Sequence, residues 1–342
     1  MKLSYEQLVV HTANPFVIAR GGHSEYTRVR VRLLDADGIE GLGEAAPSPF
    51  YGETADTVVA ALEKVRAIVE AADAWALEDL EQALQRALRG NAAARMAVSA
   101  AAHDIVGKRL GVPLYKLWGL TPGNAPLSSF TIAIAPTEDE LIRRVEQAAD
   151  YPVLKVKLGT DRDDDIVRAV RGAAPDKVIR VDANAAWTPK HALEMIERLA
   201  RYGVEFVEQP LPPEDLDGLR FVRERAALPI IADESCVTSA DIPRLVGAVD
   251  GINIKLAKCG GLREAHRMIA AARTHGLRVM MGCMVETSLG ITAAAHLAPL
   301  LDDADLDGAA LLSDDPHVGA TIARGRIAIP DAPGLGVRIR TP

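Results

Sequence analysis

From Ser128 onward, short apolar and β-prone runs recur along the chain. They fall at Ser128–Ile134, Val153–Leu158, Val178–Asp182, Val204–Glu208, Pro229–Asp233, Gly251–Lys255, Leu277–Met281 and around Leu306. Segments with helical spacing of apolar positions lie between most of them. The clearest predicts a helix over Thr188–Tyr202, with Thr188 as N-cap, Pro189 at the first helical position and Gly203 just past the end. Within it Leu193, Ile196, Leu199 and Ala200 repeat at helical spacing. Strand alternating with helix implies parallel strands and right-handed crossovers. Eight such strands over roughly 180 residues predict a (β/α)₈ barrel whose last unit is irregular. A doubly wound open sheet is the competing arrangement.

The first 120 residues follow a different rhythm. Arg28–Leu34 alternates as a half-buried strand, Asp37-Gly38 supplies a tight turn, and Ile39–Ala45 reads as the returning strand. Before that hairpin, Arg20-Gly21-Gly22-His23-Ser24-Glu25 reads as a mobile loop, of the kind that closes over a site. Thr54–Ala71 and Leu77–Leu88 have amphipathic helical periodicity, and Ala92–Leu110 is alanine-rich enough to be packed on most sides. Gly111-Val112-Pro113 ends that helix. At the far end, Arg326–Ile329 and Val337–Ile339 read as strands rejoining the N-terminal region.

Composition narrows the function. The 342 residues carry a net charge of −8, which argues against nucleic acid and anionic membrane as partners. Three widely spaced cysteines, Cys236, Cys259 and Cys283, build neither a disulfide framework nor a zinc site, which fits a reducing cytoplasm. The N-terminus lacks the apolar core of a signal peptide, and no apolar run approaches ~18 residues.

Against that background the charged residues inside the apolar runs stand out. Lys155 and Lys157 lie two positions apart in Val-Leu-Lys-Val-Lys-Leu-Gly, so both ammonium groups project from one strand face. Asp182, Glu208, Asp233 and Lys255 close later runs, with separations from Lys157 onward of 25, 26, 25 and 22 residues. One β/α unit is about that long, so each residue ends a successive strand, and in a barrel those ends converge on the face where active sites form. Any one of these carboxylates alone reads as a helix cap or salt-bridge partner. Three in register without histidine or cysteine suit a hard dication, Mg²⁺ before others. The chemistry implied is proton abstraction beside a carboxylate, which leaves an enediolate whose extra charge the metal stabilises. A lysine serves as base if burial near the metal and a second lysine depress its pKa. Lys157 and Lys255, on the second and sixth strands, stand on opposite sides of the barrel mouth, the arrangement of a racemase or epimerase.

These residues also carry a family resemblance. Lys155-Val-Lys157, Asp182-Ala-Asn184, Glu208-Gln-Pro210, Asp233-Glu-Ser235, Asn253-Ile-Lys255 and Lys258-Cys-Gly-Gly261 resemble the enolase superfamily, muconate-lactonizing subgroup, over nearly the whole chain. The resemblance implies a modified TIM (β/α)₇β barrel over 121–320. It also implies an α+β capping domain over 1–120, completed by 321–342. Asp305-Leu-Asp307 resembles the Asp-x-Asp motif of dipeptide epimerases, and would bind the α-ammonium of a dipeptide substrate. Cys283, Met284 and Glu286 resemble the family's seventh-strand substrate wall, with Cys283 read as packing because no base accompanies it. Thr131 on the first strand is a further expected substrate contact, and Lys155 is expected to hold the substrate carboxylate. A homo-oligomer is expected.

One position departs from the pattern. Phe16 to Glu25 resembles the loop that in Ala-Glu epimerases carries an arginine for the substrate's glutamate, and His23 stands in that place. Histidine is mostly neutral at pH 7 and lacks the guanidinium fork. The expectation is therefore a dipeptide epimerase not strict for glutamate. An o-succinylbenzoate synthase or muconate cycloisomerase on the same scaffold is the alternative within the family, and a non-catalytic metabolite-binding barrel the alternative outside it.

Overall fold

The computed structural model describes residues 1–340. Three antiparallel strands open the chain: β1 (Lys2–Ile18), β2 (Gly21–Leu34) and β3 (Glu40–Ala45). The segment expected as a mobile loop is instead the end of a long β1–β2 hairpin, with Phe16 opposite His23 and Ile18 opposite Gly21. The hairpin absorbs an irregularity between His11 and Phe16, so pairing resumes beyond it and carries the strands out to their tip.

Three helices follow, α1 (Ala55–Ala71), α2 (Leu77–Ala87) and α3 (Ala92–Leu110). Thr54 caps α1 through a capping box with Thr57. In α3 every residue from Ala92 to Gly107 is buried, which explains its alanine content. It lies against β3 closely enough that a Cβ on Gly43 would meet the carbonyl oxygen of Ala97, and one on Gly41 that of Ala101. Small residues on both sides let the backbones approach.

The eight predicted runs form one parallel sheet: β4 (Phe130–Ile132), β5 (Val153–Lys157), β6 (Val178–Asp182), β7 (Val204–Glu208), β8 (Ile230–Ala232), β9 (Gly251–Ile254), β10 (Arg278–Gly282) and β11 (Asp303–Asp305). Its order follows the sequence, and a parallel bridge from Ser128 to Ala304 joins the two ends. The sheet is thus a barrel and not the doubly wound alternative. Only a short 3₁₀ turn, Gly308–Leu311, follows β11, so the eighth unit has no full helix. Pro189–Arg201 is helical as expected, with Thr188 at the N-cap and Gly203 in the left-handed region at its end, although the Thr188 side chain makes no capping bond.

At the barrel's N-terminal end Arg180 bridges Glu205 (2.8 Å) and Asp303 (2.5 Å), and Arg278 bridges the same two carboxylates. One residue of β6 there, Arg180, faces two of β7, Glu205 and Phe206. That extra residue lets Glu205 join the lower charged layer while Glu208, three positions on, joins the upper one.

The C-terminal segment departs from expectation. Arg326–Ala328 pairs with Thr321–Ala323, and Arg338–Ile339 with His317–Val318, rather than with the N-terminal strands. The former pair is a hairpin at the bottom of the barrel, where the Gly325 carbonyl accepts from the Ser128 amide and the Tyr151 hydroxyl donates to the Ile322 carbonyl. No helix among the described residues is long and apolar enough to cross a membrane.

Candidate active site

Parallel packing directs the C-terminal ends of all eight strands to one face, under the β1–β2 hairpin tip and the Pro47–Ala55 segment. Between them lies a cavity of about 680 Å³. Beneath it, behind Lys157 and Lys255, the carboxylates of Asp182, Glu208 and Asp233 offer oxygens that all lie within 4.8 Å of one another. Each is buried, and each leaves the end of an adjacent strand.

Four lysines surround this triad. The Lys157 Nζ lies 2.7 Å from Asp182, Lys255 lies 2.8 Å from Asp233, and Lys155 contacts Glu208 and Asp305 at 2.8 Å each. The fourth, Lys258, lies 2.5 Å from Asp233 and also donates to the carbonyls of Asn253 and Cys236. Backbone strain concentrates here as well: Asn184, Ala185 and Gln209 all have positive φ. Their conformations are put to use. The Asn184 backbone and side-chain nitrogens donate to Asp182, and the Gln209 side-chain oxygen accepts from the Asp233 and Ser235 amides. Asn253 donates to Glu208.

The electrostatics fit a dication. Burial, together with Asp182 and Asp233, pushes Glu208 up to about 7 in spite of Lys155. Asp182 and Asp233 are held low because lysines outweigh their burial. One Glu208 oxygen has no hydrogen-bond partner although Lys155 stands at 2.8 Å, since the approach angle is wrong for a bond. A crowded set of buried oxygens, one of them unbonded, is the donor set that Mg²⁺ prefers. Asp182, Glu208 and Asp233 would hold it. The same carboxylates act on the lysines. Burial does push Lys155 and Lys255 down, but the surrounding carboxylates more than reverse it, Asp305 and Glu208 for Lys155 and Asp233 for Lys255. Of those carboxylates, Glu208 and Asp233 are ones a bound cation would compete for.

Not every expected residue reaches the cavity. Lys157, Lys255, Thr131, His23, Cys283, Met284, Asp305 and Asp307 line it, while Lys155 is wholly enclosed beneath it and Glu286 is turned behind it. Lys155 braces Glu208 and Asp305 from below. Thr131 spends its amide and hydroxyl on Asp307, at 2.6 and 3.3 Å. Asp305 accepts from Ser129 at 2.6 Å, and burial beside Asp305 pushes Asp307 up to about 7. The Cys283 thiol donates to the Asp305 carbonyl, and burial pushes its pKa up, as suits packing. Sequence reasoning assigned no role to Lys258 or Glu234. A Glu234 oxygen pairs with Arg20 at 2.8 Å, and Arg20, also bonded to the Asn184 carbonyl, lies over Phe50.

Glu286 faces Glu44 in the seam between cap and barrel. Both are enclosed, and burial pushes each up to about 7. For Glu286 that folded value exceeds an ordinary value of 4.5, so the folded chain holds its proton more tightly than the unfolded one. The resulting stability is complete below pH 4.5 and is lost as pH rises through about 7. Glu286→Gln mimics the protonated form. Its stability relative to wild type is expected to rise by up to about 3 kcal/mol between pH 4.5 and pH 8, read from guanidinium midpoints. A pH-independent difference would contradict this placement.

Comparison with known proteins is decisive about kinship. The N-terminal domain of the mandelate racemase / muconate lactonizing enzyme family matches residues 5–119, and the enolase C-terminal domain-like family matches residues 138–342. The chain belongs to the mandelate racemase / muconate lactonizing enzyme family. Among its relatives in that family is the L-Ala-D/L-Glu epimerase of Bacteroides thetaiotaomicron, 39% identical over 98% of this chain and 88% of that one. The hydrophobic dipeptide epimerase of Enterococcus faecalis is 36% identical over 94% of each chain. A crystal structure of the dipeptide epimerase from Enterococcus faecalis V583, complexed with Mg and the dipeptide L-Leu-L-Tyr, superposes with a TM-score of 0.93 at 33% identity, covering 98% of both chains.

Proposed function

We propose that this member of the family is a Mg²⁺-dependent dipeptide epimerase that inverts the α-carbon of the C-terminal residue. The observation that carries the reading is the pair Lys157 and Lys255, four strands apart in an eight-stranded barrel and both on the cavity wall above the carboxylate triad. An α-carbon between them presents one face to each side-chain nitrogen. The lysine that is a neutral amine removes the proton from its face and becomes an ammonium, while the other, an ammonium, delivers its proton to the opposite face and is left neutral. A bound Mg²⁺ supplies a Lewis acid at the substrate carboxylate, easing the charge that proton removal creates. Lys155 keeps Glu208 and Asp305 in place from below, and Lys258 does the same for Asp233.

Asp305 and Asp307 take the dipeptide's α-ammonium. This distinguishes the reading from o-succinylbenzoate synthase or muconate cycloisomerase activity, whose substrates carry no such group. The ammonium's charge would hold Asp307 ionised at neutral pH against the pull of its surroundings.

For the second residue of the dipeptide, the wall offers Phe16, Ile18, Phe50 and Tyr26, with His23 at the hairpin. Arg20 is committed to Glu234 and the Asn184 carbonyl. These residues favour apolar or mixed side chains over glutamate alone. A dipeptide library incubated with enzyme and Mg²⁺ in D₂O tests the proposal. Deuterium is expected at the C-terminal α-carbon of a broad set of substrates, including apolar ones. Ala-Glu outrunning every other dipeptide by a wide margin would refute the selectivity, and no exchange in any dipeptide would refute the activity.

A further inference from the structure

Behind the active-site wall, the cap and barrel enclose a second cavity of about 430 Å³, which shares Tyr51 and Glu53 with the first. Gln85, Arg89, Arg95 and Thr238 complete the part of its wall that matters. Arg95 stands on the first turn of α3 and is only 9% exposed. Its guanidinium lies face-on against the backbone of Gly260. A Cβ added there would meet Cζ at 2.8 Å, Nη2 at 3.0 Å and Nη1 at 3.1 Å. Gly260 has φ +88°, so glycine suits both the turn and the close approach.

What distinguishes Arg95 is that no side chain pairs directly with its guanidinium among the described residues, its charge acting only at a distance on Glu53. Its Nε is buried without a hydrogen-bond partner, and neither Nη atom forms a hydrogen bond or ion pair among the described residues. Holding a largely buried guanidinium with an unpartnered Nε and no ion pair is costly, and its Nη atoms are left to the solvent of the cavity. The nearest carboxylate is already engaged. Glu53 accepts from the Ala92 and Ala93 amides at 2.6 and 3.2 Å and serves the N-terminus of α3. Lys258, also on this wall, spends its ammonium on Asp233 and neighbouring carbonyls. With one face of the Arg95 guanidinium covered, its donors point along the edge, the geometry that grips two oxygens of one anion.

We propose that this cavity is an anion-binding site, separate from the catalytic one, that takes an oxyanion of the carboxylate or phosphate class on the Arg95 edge. Arg89, exposed at the same wall, adds the second positive charge. The inference stands apart from the epimerase reading and does not depend on it.

Binding of inorganic phosphate and of acetate to the whole Mg²⁺-loaded chain, measured in parallel by isothermal titration at constant ionic strength, tests it. One anion per chain is expected, and the tighter arm identifies the class. Arg95→Met should weaken binding at least ~10-fold, the worth of a charge-assisted pair of bonds, and Arg89→Ala should weaken it several-fold. Lys157→Ala should leave it unchanged, which separates this site from the catalytic cavity. Arg89 is at the surface, so Arg89→Ala keeps the test valid should Arg95→Met fail to fold. Absence of saturable binding of either anion would overturn the proposal. So would binding that survives both arginine variants or disappears with Lys157→Ala.

Discussion

Alanine in place of Lys255 is expected to lower epimerisation by about 10³-fold or more, with Lys157→Ala having a similar effect, since each lysine is the proton carrier assigned to its side. Rate alone does not separate lost chemistry from lost structure, so the isotopic outcome matters more. With Lys157 intact, Lys255→Ala should still exchange the α-proton of the epimer that presents it to Lys157. That epimer would gain deuterium in D₂O without inverting, and the other would gain almost none. Lys157→Ala should reverse the preference. The fold should tolerate both changes. Asp233 keeps Lys258 at 2.5 Å, and Asp182 keeps the two Asn184 donors and Lys155 at 3.5 Å. Inversion at near wild-type rate by either variant, or equal exchange of both epimers, would rule out the two-base assignment.

The barrel was readable from sequence because its signal is repetitive. Fully buried parallel strands show as unbroken apolar runs, and β6 and β7 have the bounds those runs predict. The hairpin tip was misread for a physical reason. Gly21 and Gly22 do follow a sharp turn, but both pair with β1, which lacks the alternation that would have announced a ladder there. The C-terminal strands were recognised as strands but given the wrong neighbours, since a three-residue strand carries no information about its partner.

The site shows a similar division. Charged residues at a fixed interval are visible in a linear sequence, so Lys157, Asp182, Glu208, Asp233 and Lys255 could be assembled before any coordinates. Depth is not visible. Lys155 and Lys157 share a strand face, and only three dimensions reveal that the lower one is sealed beneath three carboxylates. Glu286 was placed by motif on the cavity wall, but its side chain turns back to accept the Met284 amide. Lys258 stood in a quoted motif, and its role was legible there too: a lysine three residues after Lys255, in a helical turn, returns to the same carboxylate.

Removing a single oxygen charge from the triad should have the second large effect, and Glu208→Gln is the variant to make. Asp233→Asn would strip the partner from Lys255 and Lys258 together and leave Lys258 enclosed without a counter-charge, so a failure there would be ambiguous. Glu208 has one ionic partner, Lys155, which keeps Asp305 at 2.8 Å and Asp182 at 3.5 Å after the change. Its Oε1 accepts from Asn253, a bond that the glutamine amide oxygen can retain. The isostere is therefore expected to fold, and at pH 8 without Mg²⁺ to be at least as stable as wild type, because burial already pushes Glu208 up to about 7. Mg²⁺ at a hundredfold excess over its dissociation constant should stabilise wild type by about 2.7 kcal/mol. Glu208→Gln should lose most of that response, and its activity should fall on the order of 10³-fold, equivalent to several kcal/mol of charge stabilisation at the substrate carboxylate. The two readouts belong together. A variant that melts as wild type does, ignores Mg²⁺ and fails to exchange the α-proton would place the cation on these oxygens, whereas an undiminished Mg²⁺ response would place it elsewhere.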